Sequence, residues 1–402
     1  MIKVGVIGGG AAGYFAAITA AQQGAQVTIF EKSPKTLSKV KVSGGGRCNV
    51  THDAREVSKL IKSYPRGEKF LKKVFRHFAV PDTIEWFESR GVTLKTEADG
   101  RMFPITDSSQ TIINALRNEA DKHGVVLLSK TAIDNIEQGS NTFDLYSVGG
   151  KHSFDKIIIT TGGAPKLASY QLVENLGHTV EAPLPSLFTF NTPSETIKSL
   201  PGLSVPSAHI KLEGSKLDYT GPLLITHWGV SGPAVLKLSA FGAKWLAEKE
   251  YKAKAHIRWD SEINEEEIRT QLTNFKKNHP KKKIISNPLF NLPARLWEHL
   301  CEKASIENTA LWLDIPKKQF NKLVECLFNY VLTIEGKTTF KEEFVTAGGV
   351  DLSQVDPNTM ESKIVPGVFF AGEVLNIDGI TGGFNFQAAW STGFLAGVSV
   401  LK

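Results

Sequence analysis

The sequence predicts an α/β fold in which one parallel sheet is assembled from both ends of the chain and interrupted by a β-rich segment. Three observations predict it. Lys3 to Ile7 is a short apolar run followed at once by Gly8-x-Gly10-x-x-Gly13 and an alanine-rich stretch to about Gln23, the order strand, glycine turn, helix. The last segment, Gly367 to Lys402, repeats that order around Gly382-Gly383. Between them, prolines cluster at 183, 185 and 193, and β-type runs follow.

The elements follow in order. Gly24 supplies a left-handed stop to the first helix, and Ala25 to Phe30 reads as a second strand ending at Glu31. Turns this short suit a parallel crossover. Ser108 to Ile136 reads as helix then strand, and Phe154 to Thr161 as one strand running into Gly162-Gly163. His209 to Leu212 and Leu223 to Thr226 are β-type. From Asn264 to Phe328 the pattern is helical, with Ile268, Leu272, Phe275, Leu323, Val324 and Leu327 on the apolar faces. Tyr330 to Ile334 alternates again, and Phe340 to Thr346 leads into Gly348-Gly349. The expected division is therefore 1–187 and 345–402 as one domain, 188–263 and 329–344 as a β-rich domain, and 264–328 as a helical insertion.

Composition narrows the class. A chain of 402 residues exceeds one ordinary hydrophobic core, so more than one domain is expected. No apolar run reaches the roughly 18 residues of a membrane span, and the apolar N-terminus reads as strand, turn and helix rather than as a leader. A cytoplasmic address and no membrane partner are expected. Cys48, Cys301 and Cys326 form no C-x-x-C pair, so neither a disulfide framework nor a metal site is expected. The excess of 47 Lys+Arg over 41 Asp+Glu suits an anionic cofactor and does not demand nucleic acid. The lysine run of residues 276–283 reads first as a solvated helix end and loop, with RNA contact as the alternative. The expected partner is a small-molecule substrate.

The glycine motif carries chemistry. Gly8 permits the tight turn, Gly10 lets backbone approach a pyrophosphate, and Gly13 allows close helix–strand contact, while the helix N-terminus offers unpaired N–H groups. Glu31, eighteen residues after Gly13, can accept both ribose hydroxyls of an adenosine. Two more glycine-rich clusters favour FAD over a nicotinamide dinucleotide. One is Ser43-Gly44-Gly45-Gly46-Arg47-Cys48-Asn49, whose amides and Arg47 can face phosphate or ring oxygens. The other runs from Gly372 and Glu373 to Gly382, Gly383, Phe384 and Asn385, where a second helix N-terminus can hold negative charge on a reduced ring. No second strand–GxGxxG–helix unit is seen, so NAD(P)H enters only as a transient electron donor, and an oxidase reaction stays open.

These motifs resemble the BaiN-like flavoproteins, a family that includes aminoacetone oxidase. The likeness runs along nearly the whole chain and rests on Ser43–Asn49, Gly100–Pro104, Thr226–Pro233, Thr346–Val350, Met360–Lys363 and Ala371–Asn385. The pattern departs at His52, where Asn is common. The resemblance implies a glutathione-reductase-type FAD domain interrupted by a β-barrel-like domain that carries the helical insertion. It implies Gly8, Gly10, Ala11 and Ala12 at the pyrophosphate, Glu31 and Lys32 at the ribose, and Arg47, Cys48 and Asn49 along the cofactor. It further implies Ala132 at adenine, Thr161 and Gly162 on that side, and Gly372, Glu373, Gly383 and Asn385 at the ribityl and ring end.

The expected activity is FAD-dependent oxidation or reduction of a small organic substrate, with hydride passing through flavin N5. An RNA-modifying flavoenzyme and a non-catalytic flavin sensor are the alternatives. Two catalytic candidates each keep two readings. His227 is an acid or base facing the flavin from the inserted domain, or a hydrogen-bonder that fixes its turn. Arg101 binds a substrate carboxylate, or belongs to a surface hairpin. Cys48 reads as cofactor packing or as a redox thiol. Trp259, Trp297 and Trp312 read as core.

Overall fold

The computed structural model describes residues 1–338 and 345–402. The chain divides into two compact units, Met1–Ser186 with Lys341–Lys402, and Leu187–Phe340. The expected end of the β-rich domain at residue 344, and residues 340–344 of the expected Phe340 to Thr346 run, lie outside the described residues.

In the first unit the apolar run Lys3–Ile7 sits third in a five-stranded parallel sheet. The order is Val368–Phe370, Lys156–Ile159, Lys3–Ile7, Gln26–Glu31, Val126–Ser129. One edge strand thus comes from the far end of the chain. Continuous apolar runs such as Ile157, Ile158 and Ile159 are what a sheet covered on both faces requires, and all three are fully buried. The helices Ala11–Gln22 and Phe384–Ser399 cross through small residues. A Cβ on Gly393 or Gly397 would stand 2.7 Å and 2.5 Å from the carbonyls of Ala12 and Ala16. Van der Waals contact at that separation welds the two ends of the chain into one core.

Three short antiparallel sheets decorate the first unit: Thr51–His52, Arg101–Pro104 and Leu94–Thr96; the meander Asn135–Gln138, Phe143–Ser147, Gly150–Phe154; and the pair Val180–Ser186 with Val345–Val350. The meander corrects one expectation. Phe154 to Thr161 is not a single strand, because Phe154 ends the meander and the parallel strand starts at Lys156. Asp155 makes the break by bonding Lys3 twice, its carboxylate accepting the Lys3 N–H at 2.7 Å and its own N–H donating to the Lys3 carbonyl.

The second unit is built on a seven-stranded antiparallel sheet in the order Tyr330–Glu335, Lys252–Arg258, Ser204–Leu212, Asp218–Ile225, Gly229–Ser231, Thr189–Asn191, Lys337–Thr338. The two edge strands are separated only by Gly336, so the sheet closes on itself as a barrel. The Asn191 N–H donates to the Gly336 carbonyl at 3.0 Å across that seam. Closure removes the open edges that would otherwise pair with other chains. The helices Glu265–Asn278, Ala294–Lys303 and Lys317–Phe328 form the insertion and share the barrel's hydrophobic core through Trp259, Trp297 and Trp312. Among the described residues no helix is long and apolar enough to cross a membrane.

Candidate functional site: a dinucleotide cradle in the first unit

The cradle begins where the first strand ends. Gly8 donates its N–H to the Phe30 carbonyl at 2.8 Å, tying the glycine turn to the second strand. Gly13 brings the helix onto that turn, since a Cβ there would stand 1.9 Å from the Gly8 carbonyl oxygen. Thr160, buried at the end of its strand, donates its hydroxyl to the Ile7 and Gly8 carbonyls (3.1 and 2.9 Å) and locks the turn from below. Thr160 was missed by the sequence reading, and its place after Ile157-Ile158-Ile159 was the one available signal.

Glu31 stands at the end of the second strand beside the turn. Its carboxylate accepts the Gly9 N–H at 2.9 Å and the Ser33 N–H at 2.8 Å. A carboxylate offers about four lone-pair sites, so two remain for ribose hydroxyls. Lys32 is exposed next to it. The Thr131 N–H donates to the Glu31 carbonyl at 2.9 Å, which brings Ala132 to the same end.

At the opposite end the contacts come from distant segments. The helix that begins at Ser38 breaks at Ser43, which is extended, and Gly44, Gly45 and Gly46 follow at left-handed φ as a glycine-rich loop. Asn49, in the amide orientation that satisfies its neighbours, donates to the carbonyls of Thr51 and Met102 (2.9 and 3.2 Å) and accepts from the Gly383 N–H at 3.0 Å. Gly383 is required there, with φ of 91° and only 2.5 Å between a Cβ and the Thr51 carbonyl. The Thr51 hydroxyl and the Gln387 amide meet at 2.6 Å. Phe384 stacks on His52 with ring centroids 4.6 Å apart, and His52 Nδ1 lies 3.2 Å from the Gly382 carbonyl. The departure from the family pattern at His52 is therefore a packing substitution within the cradle wall.

Other predicted residues have structural partners. Asn385 pins Gly379 with two hydrogen bonds, at 2.8 and 2.9 Å. Arg47 turns its guanidinium to Glu97 at 2.6 Å and lies 4.0 Å over the Phe103 ring, and the Glu97 bond holds it further above its ordinary pKa. Cys48 is fully buried, and burial pushes its thiol up to about 12. Such a thiol stays protonated at neutral pH. Glu373 accepts the Thr346 N–H at 2.9 Å and pairs with Lys39 at 2.5 Å. Gly372 packs against the first helix, Thr161 is exposed, and Gly162 has left-handed φ.

Arg66 and Asp378 also escaped the sequence reading. The fully buried Asp378 carboxylate accepts both arms of Arg66, and the Ser186 hydroxyl at 2.7 Å. Burial pushes the Asp378 carboxyl upward while Arg66 and Ser186 pull it down. The pair anchors the loop between Glu373 and Gly382.

The residues present fit a flavin dinucleotide. Among the described residues, no side chain caps the helices that start at Ala11 and Phe384, and neither carries an acid in its first turn. Both N-termini keep free N–H groups and positive dipole for an anionic group. Gly10, Gly45, Gly46 and Gly162 have nothing within 4 Å of where a Cβ would stand, leaving open room along the cradle.

The two catalytic candidates differ in their surroundings. Arg101 spends Nε on Asp99 at 2.7 Å and a terminal nitrogen on Glu97 at 3.1 Å. His227 belongs to the second unit, on an exposed hairpin tip beside Trp228, which is 57% exposed. The tip is closed by Thr226 and Gly229: the Thr226 N–H donates to the Gly229 carbonyl at 2.7 Å, and the Trp228 N–H to the Thr226 hydroxyl at 3.3 Å. Among the described residues His227 makes no hydrogen bond, so the turn does not depend on it.

Fold and cradle together define an FAD-dependent oxidoreductase. The chain belongs to the family described as "HI0933-like protein Rossmann domain", whose model matches residues 2–399. It is 29% identical to the 3-dehydro-bile acid delta(4,6)-reductase of Clostridium scindens, over 99% of this chain and 98% of that one. It is 30% identical to the ribosomal RNA dihydrouridine synthase of Escherichia coli K12, over 96% and 95%. Two solved structures share the fold at 15% identity. They are the open flavocytochrome c3 fumarate reductase (TM-score 0.52, covering 99% of this chain and 78% of that one) and the 3-ketosteroid-delta4-(5alpha)-dehydrogenase of Rhodococcus jostii RHA1 (TM-score 0.51, covering 100% and 97%).

Proposed function

We propose that this protein reduces a carbon–carbon double bond conjugated to a carbonyl, in the cytoplasm, with a reduced nicotinamide as transient electron donor. One observation carries the reading: two relatives that align along nearly the whole chain are named for reactions of this one class. A 3-oxo compound with Δ4 and Δ6 double bonds and the C5=C6 bond of uridine are both polarised by a conjugated carbonyl. In each, the β-carbon takes a hydride, the α-carbon takes a proton, and the double bond becomes single. Bound FAD, once reduced, supplies the hydride equivalent at N5.

The chain's own residues supply position and charge. Gly8, Gly10, Ala11, Ala12 and Gly13 present the helix N-terminus to the pyrophosphate, and Glu31 with Lys32 and Ala132 holds the adenosine. Gly44, Gly45, Arg47, Cys48 and Asn49 line the cofactor, with Thr161 and Gly162 beside them. Gly372, Glu373, Gly382, Gly383, Phe384 and Asn385 carry the ribityl and ring end. The uncapped helix from Phe384 stabilises negative charge there. His227 gives the proton to the α-carbon, a role worth ~10²–10⁴ in rate. Arg101, held by Asp99 and Glu97, fixes its hairpin rather than the substrate.

The test is anaerobic. Protein reduced by NADH, NADPH or dithionite is offered a 3-oxo-Δ4 steroid or a uridine-containing RNA while flavin absorbance and product mass are followed. Recovery of the oxidised flavin together with a product two hydrogens heavier supports the reading. Reoxidation only once air is admitted points to an oxidase, and no preference among acceptors to a sensor. Either outcome overturns the proposal. For His227, the Gln and Ala variants are expected to keep FAD and lose turnover, with added imidazole restoring part of the Ala variant's rate. Wild-type turnover in both variants removes His227 from the mechanism.

A further inference from the structure

The helical insertion carries charge that the reductase reading leaves unused. Residues 268–297 contain no Asp or Glu and seven Lys or Arg, five of them in 276–283. Lys276 and Lys277 close the helix Glu265–Asn278, where its dipole favours cations. The other lysines have no such explanation. Residues 280–284 run antiparallel to 310–313: the Ile284 N–H donates to the Ala310 carbonyl at 3.0 Å, Trp312 to Lys282 at 3.0 Å, and Leu313 to Pro280 at 2.8 Å. That pairing sets Lys281, Lys282 and Lys283 beside the segment that leads into Lys317 and Lys318. The last two are the first residues of the helix Lys317–Phe328, the end at which the dipole opposes positive charge.

All of these lysines are exposed except Lys276, which is half-buried. The ion pairs of the insertion go instead to Arg269, Lys303 and Lys322. Among the described residues Lys276, Lys277, Lys281, Lys282, Lys283, Lys317 and Lys318 form no ion pair. Exposed Asp314 and Glu307 are the acids in the adjoining segment, so the positive excess survives them. Phe275 anchors the underside of the patch, with its ring 5.3 Å from that of Trp312 and Lys282 Nζ 5.8 Å above it.

We propose that this lysine face binds the phosphate backbone of an RNA substrate. The proposal rests on the reductase reading and names its substrate class. Exposed lysines without ion-pair partners, gathered in two paired segments, are the electrostatic footprint of a polyanion site. A bilayer surface fits less well, because Ile268, Leu272, Leu323, Val324 and Leu327 turn inward and leave only Leu313 as an exposed apolar contact. The pairing of 280–284 with 310–313 also holds the backbone that carries Lys281, Lys282 and Lys283 in an ordered segment.

The experiment measures anisotropy of a fluorescent uridine-containing stem-loop RNA with FAD-loaded full-length protein across a salt series. Wild type is compared with Lys281→Gln/Lys282→Gln/Lys283→Gln and with Lys317→Gln/Lys318→Gln. The triple variant is expected to bind at least ~10-fold more weakly and to lower the log–log salt slope by about 2, as the loss of three phosphate contacts requires. Its flavin spectrum and its reoxidation by a small conjugated acceptor are expected to match wild type. Unchanged RNA affinity and slope in both variants would overturn the proposal. So would equal binding of polyglutamate, or of phosphatidylserine vesicles in place of RNA. Failure of this surface with conjugated acceptors still reduced leaves the reductase reading standing. RNA binding without reduction of any acceptor sinks that reading and not the surface.

Discussion

Glu31 holds the fold locally, and we propose that it also holds the cofactor. Two of its lone pairs accept from Gly9 and Ser33, and the remainder are left for the proposed ribose hydroxyls. Glu31→Ala is expected to weaken FAD binding by roughly 1–3 kcal/mol, the range for hydrogen bonds to a charged group. Equilibrium dialysis of FAD against the reconstituted variant measures this, and unchanged affinity would misplace the ribose. Cys48 makes the opposite prediction. With its thiol raised to about 12, it supplies no thiolate between about pH 6 and 9, so no long-wavelength charge-transfer band should grow in over that range. Cys48→Ser should keep the wild-type flavin spectrum. Glu31 and the glycines were legible because their spacing lies within one short stretch of chain. Arg66 and Asp378 were not, since neither belongs to a motif and 312 positions separate them.

At the scale of elements, the helix from Phe384 owes its placement to a residue outside it. Gly383 adopts a left-handed φ against the Thr51 carbonyl, where any side chain clashes with backbone. Gly383→Ala is expected to cost about 1–3 kcal/mol of strain and to release FAD from the folded protein. Circular dichroism and the flavin absorbance of the purified variant separate loss of cofactor from loss of fold. A yellow, stable Gly383→Ala protein would mean that this helix N-terminus does not face the cofactor. One local reading held and one went astray. The glycines at 44–46 read as a loop, and there the chain does leave helical geometry, with Ser43 extended and Gly44, Gly45 and Gly46 at left-handed φ. The apolar run after Phe154 read as unbroken, but one aspartate bonded to Lys3 divides it.

For the whole molecule, the first unit depends on its C-terminal segment. Removing residues 367–402 deletes an edge strand of the parallel sheet and the helix that packs on Ala11–Gln22. The truncated chain is expected to lose FAD and cooperative folding together, as read by flavin absorbance and thermal melting. A truncated chain that stays yellow and monomeric refutes a site made from both ends. The buried Arg66–Asp378 pair is the second global test. Arg66→Leu leaves an uncompensated buried carboxylate and should destabilise the first unit by about 3–5 kcal/mol, whereas Arg66→Met with Asp378→Leu should recover much of that loss. Chemical denaturation of the three proteins decides it.

What the sequence determined by itself was the class of protein and the strand–glycine turn–helix frame at its N-terminal end. Strand, Gly8-x-Gly10-x-x-Gly13, helix and Glu31 are contiguous, and their chemistry follows from local backbone geometry that any reader of the chain can reconstruct. Tertiary structure alone decided that Thr160 locks the glycine turn, that Asn49 and Thr51 receive Gly383, and that a one-residue link at Gly336 closes the barrel. It alone also showed that the segment carrying Lys281, Lys282 and Lys283 pairs with residues 310–313, which lead into Lys317 and Lys318. The physical reason is common to all four. Each depends on a hydrogen bond or close packing between segments far apart in the chain, and such pairings are selected by the whole core rather than by any local pattern.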